Sequence, residues 1–160
     1  MIVLPKSVFY HVPKTGGSWI AEGINASFKE FEVPFGYGHA SPKEYDPGDK
    51  PSFCFVRNPL TWYRSYANST GEDVTSMIEN SHYTKLLKTF GEVTYFGRFE
   101  SLQDDLRRIL DSLEEVYDRG NMFDRPQVNA SRGEDLSDEL KHLITAKEKW
   151  VFKEFNYERY

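Results

Sequence analysis

Apolar residues occur along this chain in two alternating patterns: short continuous runs and longer stripes at helical spacing. Ser7 to His11, Ser52 to Val56 and Val93 to Phe99 are the continuous runs and predict strands. The second has too little alternation for a half-exposed strand and reads as buried on both faces, as in a parallel sheet. Stripes predict helices from Ser18 to about Phe31, from Pro59 through Trp62 and Tyr66, and from Asp73 to Phe90. Two more are predicted, one behind a Ser101 cap and one from about Ser137 to Phe155. Val33 to Gly38 is a candidate strand with proline and glycine punctuation. Pro42 to Pro51 reads as an exposed connection, and Tyr117 to Asp135 as a functional or flexible loop. Strands alternating with helices predict an α/β layer fold with a mainly parallel sheet, in which ligands sit at the carboxyl ends of the strands.

The first strand runs into the most informative stretch, His11-Val12-Pro13-Lys14-Thr15-Gly16-Gly17-Ser18. A strand, a glycine-paired turn and a helix start make an anion site. Backbone N–H groups converge there, and the helix dipole favours negative charge. Lys14 adds a mobile point cation. The plain alternative is an ordinary strand-to-helix turn with an exposed lysine. The loop is not the G-x-x-x-x-G-K-[ST] phosphate loop, because its lysine precedes both glycines.

Composition narrows the partners. The 160 residues fit one domain, 1–160, and 12 Phe, 10 Tyr and 3 Trp argue against disorder. A formal charge of −5 argues against a general nucleic-acid surface, so an anionic ligand has to be held by a local cluster. Cys54 is the only cysteine, which excludes an intrachain disulfide and a cysteine-based zinc set; between Phe53 and Phe55 it reads as a packed thiol. No segment has the length of a membrane helix and no basic-then-apolar leader opens the chain, so a cytoplasmic location and no membrane partner are expected.

A second anion site is written in Val56-Arg57-Asn58-Pro59 and Ser65. Arg57 projects from a strand end, and Ser65 lies about two turns into the next helix. A guanidinium fork and a hydroxyl converging there can share a phosphate. Together the two stretches resemble the sulfotransferases that use 3′-phosphoadenosine-5′-phosphosulfate (PAPS) as donor. In that family a PKTGGS/T loop after the first strand binds the 5′-phosphosulfate. A later V-R-N/D-P strand end, with a serine eight residues after the arginine, binds the 3′-phosphate. Phe99-Glu100-Ser101-Leu102 before an Asp-Leu helix, and Val128-Asn129-Ala130-Ser131 before the last helix, also look like the family. The carbohydrate-type and bacterial or viral members are the most similar. The chain departs from the pattern at Trp62, where relatives often carry arginine, and at Ala67, where they often carry tyrosine. It is also short for the family, which bears on acceptor-binding insertions.

The resemblance implies a three-layer P-loop-like fold and a single sulfotransferase-like domain. It implies that Lys14, Thr15, Gly16, Gly17 and Ser18 hold the 5′-phosphosulfate, that Arg57 and Ser65 hold the 3′-phosphate, and that Arg132, in a basic glycine-containing loop, closes over the nucleotide or its 3′-phosphate; the plain alternative for Arg132 is a solvent-facing side chain. Lys14 would neutralise charge on the leaving oxygen, and no metal is called for. The acceptor would be a hydroxyl of a carbohydrate or small metabolite, with 3′,5′-bisphosphate (PAP) as product. Four histidines offer a base: His11, His39, His82 and His142. His39 is preferred, since relatives with a histidine base draw it from this part of the chain. His11 reads as a hydrogen-bonding core residue and His142 as a solvated helix face. A catalytically inactive PAPS- or PAP-binding module and an atypical P-loop kinase are the competing readings.

Overall fold

The computed structural model describes residues 1–34, 36, 38–126 and 134–160. Four strands form one open sheet in the order β1-β2-β3-β4: β1 (Ile2–Val3), β2 (Val8–Tyr10), β3 (Ser52–Val56) and β4 (Tyr95–Arg98). The sheet is mixed, which corrects the expectation of a mainly parallel one: β1 runs antiparallel to β2, and only β2, β3 and β4 are parallel. The cause is local. Met1 to Val3 adds a short strand ahead of the first predicted one, and a tight turn at Pro5-Lys6 folds it back, with the Leu4 N–H donating to the Ser7 carbonyl. An antiparallel pair can close through such a turn, whereas β2 to β3 needs a crossover.

The chain forms two compact units, the first comprising Met1–Val56 and Thr89–Val128. This unit carries the sheet, with α1 (Gly17–Ser27), α5 (Leu102–Ser112) and α6 (Arg119–Phe123). All five residues of β3 are buried, as their continuous apolar run predicts. Phe9, Phe53 and Phe55 from the strands, Trp19, Ile20 and Ile24 from α1, and Leu102, Leu106, Ile109 and Leu110 from α5 make one apolar core. The α5 stripe falls on one face as expected. Ser101 precedes α5 but makes no cap bond; its hydroxyl donates to Asp105 instead. The helix after Ser18 stops at Ser27, short of Phe31, because Phe28 turns extended and stacks on Tyr117. Of the candidate strand from Val33 to Gly38, the described residues form none; the neighbouring Glu32 makes a lone bridge to Val3. Part of the expected loop after Tyr117 is α6, started by the Asp118 carboxylate accepting from the Asn121 N–H, with Met122 and Phe123 buried. Cys54 is buried, and burial pushes its thiol well above the ordinary range, as a packed thiol requires.

The second unit comprises Arg57–Lys88 and Asn129–Tyr160. It is helical: α2 (Pro59–Thr70), α3 (Thr75–Glu79), α4 (His82–Lys88), α7 (Asp138–Lys147) and α8 (Lys149–Glu154). Two helices that the stripes predicted as single are each broken. The Asp73–Phe90 stripe breaks at Ser81, which takes φ +50° and donates its hydroxyl to the Lys147 carbonyl. The last stripe breaks at Glu148, where a fully buried carboxylate turns inward. Trp62, Tyr63, Tyr83, Ile144, Val151 and Phe152 are buried in this unit. Among the described residues no helix is long and apolar enough to cross a membrane.

Candidate functional site

The loop after β2 is built mainly from backbone. Val12 is buried, and its carbonyl accepts the Thr15 hydroxyl at 2.7 Å, so Thr15 faces inward and offers its N–H rather than its side chain. Lys14 holds φ +65° and Gly16 φ +87°, left-handed conformations that reverse the chain directly before α1. Gly16 is the helix N-cap and brings no capping side chain, and no acidic residue stands in the first turn. The first-turn N–H groups of α1 therefore carry the positive end of the helix without a built-in anion. Ser18 is exposed beside them.

Gly17 is required by close approach. A Cβ there would lie 1.8 Å from Cδ2 of His11, whose ring covers the helix start. His11 also meets His39, with ring centroids 4.5 Å apart, and His39 Nδ1 lies 3.2 Å from the His11 carbonyl oxygen. A carbonyl only accepts, so Nδ1 carries a proton, and Nε2 is the ring nitrogen left to serve as a base. The structure thus brings His39, an exposed side chain, to the beginning of the loop that carries Lys14. His11 is pushed down to about 4, first by burial and then by the neighbouring His39 and amino terminus. It is neutral at pH 7. Reading His11 as a core residue missed its place over Gly17; six-residue spacing between the two gives no hint of that contact.

The chain leaves β3 at Arg57, which is 5% exposed despite its charge. Its Nε donates to Thr61 Oγ1 at 3.0 Å, and the Thr61 hydroxyl donates to the Asn58 carbonyl at 3.1 Å. Asn58 caps α2 by accepting from the Leu60 N–H at 2.9 Å, with Pro59 at the first helical position. Thr61 and Ser65 are one turn apart on the same face of α2, so the face that receives the Arg57 fork also carries half-buried Ser65. The Tyr83 hydroxyl both accepts from the Arg57 N–H at 2.9 Å and donates to the Arg57 carbonyl at 3.1 Å.

The remaining candidates are held in packing of their own. Trp62 is fully buried and stacks on Tyr83 at 4.3 Å, which leaves no open face for a base. His82 stacks against Trp62, and His142 packs at a tilt against Tyr160. Arg132 and the Val128-to-Ser131 stretch lie outside the described residues. Among the described residues, no three His, Cys, Asp or Glu side chains are grouped to hold a metal ion.

The chain matches no family model, no curated protein and no solved structure. The functional reading therefore stands on these residues and their chemistry.

Two features distinguish the strand ends. The β2 loop offers a helix start without a side-chain cap and a lysine, and the β3 end offers a buried, oriented guanidinium beside a hydroxyl-bearing helix face. Because β2 and β3 are adjacent and parallel, the chain leaves both at the same edge of the sheet. That is where open α/β sheets place their ligands.

Proposed function

We propose that this chain is a PAPS-dependent sulfotransferase, with a P-loop-like fold and a cytoplasmic setting, acting on a hydroxyl of a carbohydrate or small metabolite. The observation that carries the reading is the uncapped, lysine-bearing helix start after β2; within the second unit, Arg57 is separately buried and oriented by Thr61. Two separate anion sites suit a nucleotide phosphorylated at both 5′ and 3′ positions better than one whose phosphates form a single chain.

On this reading the N–H groups from Thr15 to Ser18 and the Ser18 hydroxyl hold the 5′-phosphate, while Arg57 and Ser65 hold the 3′-phosphate. The acceptor oxygen attacks sulfur in line. The new S–O bond forms as the bond from sulfur to the bridging oxygen breaks, and PAP leaves. Lys14 neutralises charge growing on that oxygen, and His39 Nε2 takes the acceptor's proton. The protein's contribution is positioning and charge stabilisation, as in phosphoryl transfer, and the scheme calls for no metal.

Thermal shift tests the reading. PAP is expected to raise the melting temperature more than ATP with Mg²⁺; equal or greater stabilisation by ATP–Mg²⁺ would point to a kinase instead. Tight PAP binding without turnover across a broad acceptor panel would leave the binding-module reading. Once an acceptor is found, His39→Ala is expected to slow transfer about a hundredfold. Near-normal transfer by that variant would remove His39 as the base.

A further inference from the structure

Arg57 is held from behind by an ordered relay that lies wholly within the second unit. The Glu148 carboxylate is fully buried, and among the described residues no cation is bonded to it. One of its oxygens accepts the Tyr63 hydroxyl proton at 2.6 Å, and the other accepts both the Thr84 N–H and the Thr84 hydroxyl. The Tyr63 oxygen in turn accepts the Tyr83 N–H at 3.2 Å. The Tyr83 hydroxyl then clasps both backbone groups of Arg57.

The donors and acceptors in this relay point one way. A carboxylate has no proton to give, so Tyr63 must donate to it, which leaves the Tyr63 oxygen as the acceptor for Tyr83. The single proton of Tyr83 goes to the Arg57 carbonyl, and its lone pair meets the Arg57 N–H. Burial, followed by the bond to Glu148, pushes the Tyr63 hydroxyl far above its ordinary range, so that proton stays in place. Such a relay is costly as mere packing, because a buried carboxylate is expensive to desolvate. What it achieves is to fix the φ and ψ of one residue, the residue whose side chain is to meet a phosphate.

We propose that Tyr83, braced through Tyr63 by Glu148, is a positioning residue for the Arg57 anion site. It sets the direction of the guanidinium and so the discrimination of a 3′-phosphorylated nucleotide from one lacking that group. This rests on the reading of Arg57 as the 3′-phosphate ligand. Thr61 fixes the fork at Nε and Tyr83 fixes the backbone from which it springs, so the side chain is constrained at both ends.

The test compares PAP with 5′-AMP by calorimetric titration of the full chain, since their affinity ratio isolates the 3′-phosphate. The wild type is expected to prefer PAP. Tyr83→Phe, which removes only the hydroxyl, is expected to cut that ratio about tenfold with 5′-AMP affinity within about twofold of wild type. A folded Tyr83→Phe variant that keeps the wild-type ratio, or loses both affinities together, would overturn the positioning role while leaving the sulfotransferase reading intact. A wild type without preference for PAP would overturn that reading and this inference with it. Should Tyr83→Phe not fold, Tyr63→Phe keeps the clasp but removes its brace. A fall of about threefold in the ratio is expected there, and an unchanged ratio overturns the proposal.

Discussion

The two strand-end sites carry similar charge but are made by opposite means. The loop after β2 is specified within eight consecutive residues, His11 to Ser18, through backbone conformation: a left-handed Lys14, a left-handed Gly16, and a Gly17 that admits no Cβ beneath His11. The end of β3 is specified by side-chain hydroxyls and an amide drawn from across the second unit. Thr61 lies four positions from Arg57, Tyr83 lies 26 away, and Glu148 lies 85 from the Tyr63 it braces. A backbone-built site presents many weak donors and follows an anion's outline. A side-chain-built site presents one strong fork whose direction has to be held.

This contrast makes predictions that separate the sites. The largest concerns Lys14. Lys14→Ala is expected to lower turnover by about a hundred- to a thousandfold, with a much smaller loss of PAP affinity, because its charge matters most as the leaving oxygen develops charge. Single-turnover kinetics beside titration calorimetry would show this, and an equal loss in both would make Lys14 a simple binding residue.

Next, Arg57→Lys keeps the charge but loses the fork and the Nε bond to Thr61, so PAP affinity is expected to fall about tenfold or more while 5′-AMP affinity holds. If lysine substitutes without loss, the geometric account of this site fails.

Gly17→Ala probes the backbone-built site. Its Cβ would meet the His11 ring at 1.8 Å, and overpacking of this kind costs roughly 1–3 kcal/mol. Removing the Asn58 cap at the other site with Asn58→Ala should cost about 1 kcal/mol. Chemical denaturation of both variants checks the order.

His11 carries a pH dependence confined to the acid limb. Its folded value of about 4 lies below the ordinary 6.5, so between these the unfolded chain binds more protons and stability falls as the pH drops. Above pH 6.5 the contribution is fully present. His11→Phe is expected to flatten that part of the acid limb in a series of melts between pH 7 and 4; an unchanged limb would show that His11 does not titrate there.

The same contrast explains what the sequence could reveal. The β2 loop was legible because strand, glycines, lysine and helix start are contiguous, and β3 because its apolar run is unbroken. Arg57 and Ser65 stood out through the family resemblance that they carry together with the β2 loop. Their supports did not, since nothing in Tyr83 or Glu148 as residue types announces a bond to a distant backbone or to Tyr63. Glu148 also broke a helix whose apolar stripe continues in phase on both sides. The antiparallel β1 escaped notice because two residues are too few to show any period.

The most direct test of the central claim is a crystal structure of the chain with PAP. The account predicts the 5′-phosphate at the N–H groups of Thr15 to Ser18 beside Lys14, and the 3′-phosphate on the Arg57 fork and the Ser65 hydroxyl. A nucleotide that left its 3′-phosphate in solvent, or that bound away from Lys14, would contradict it.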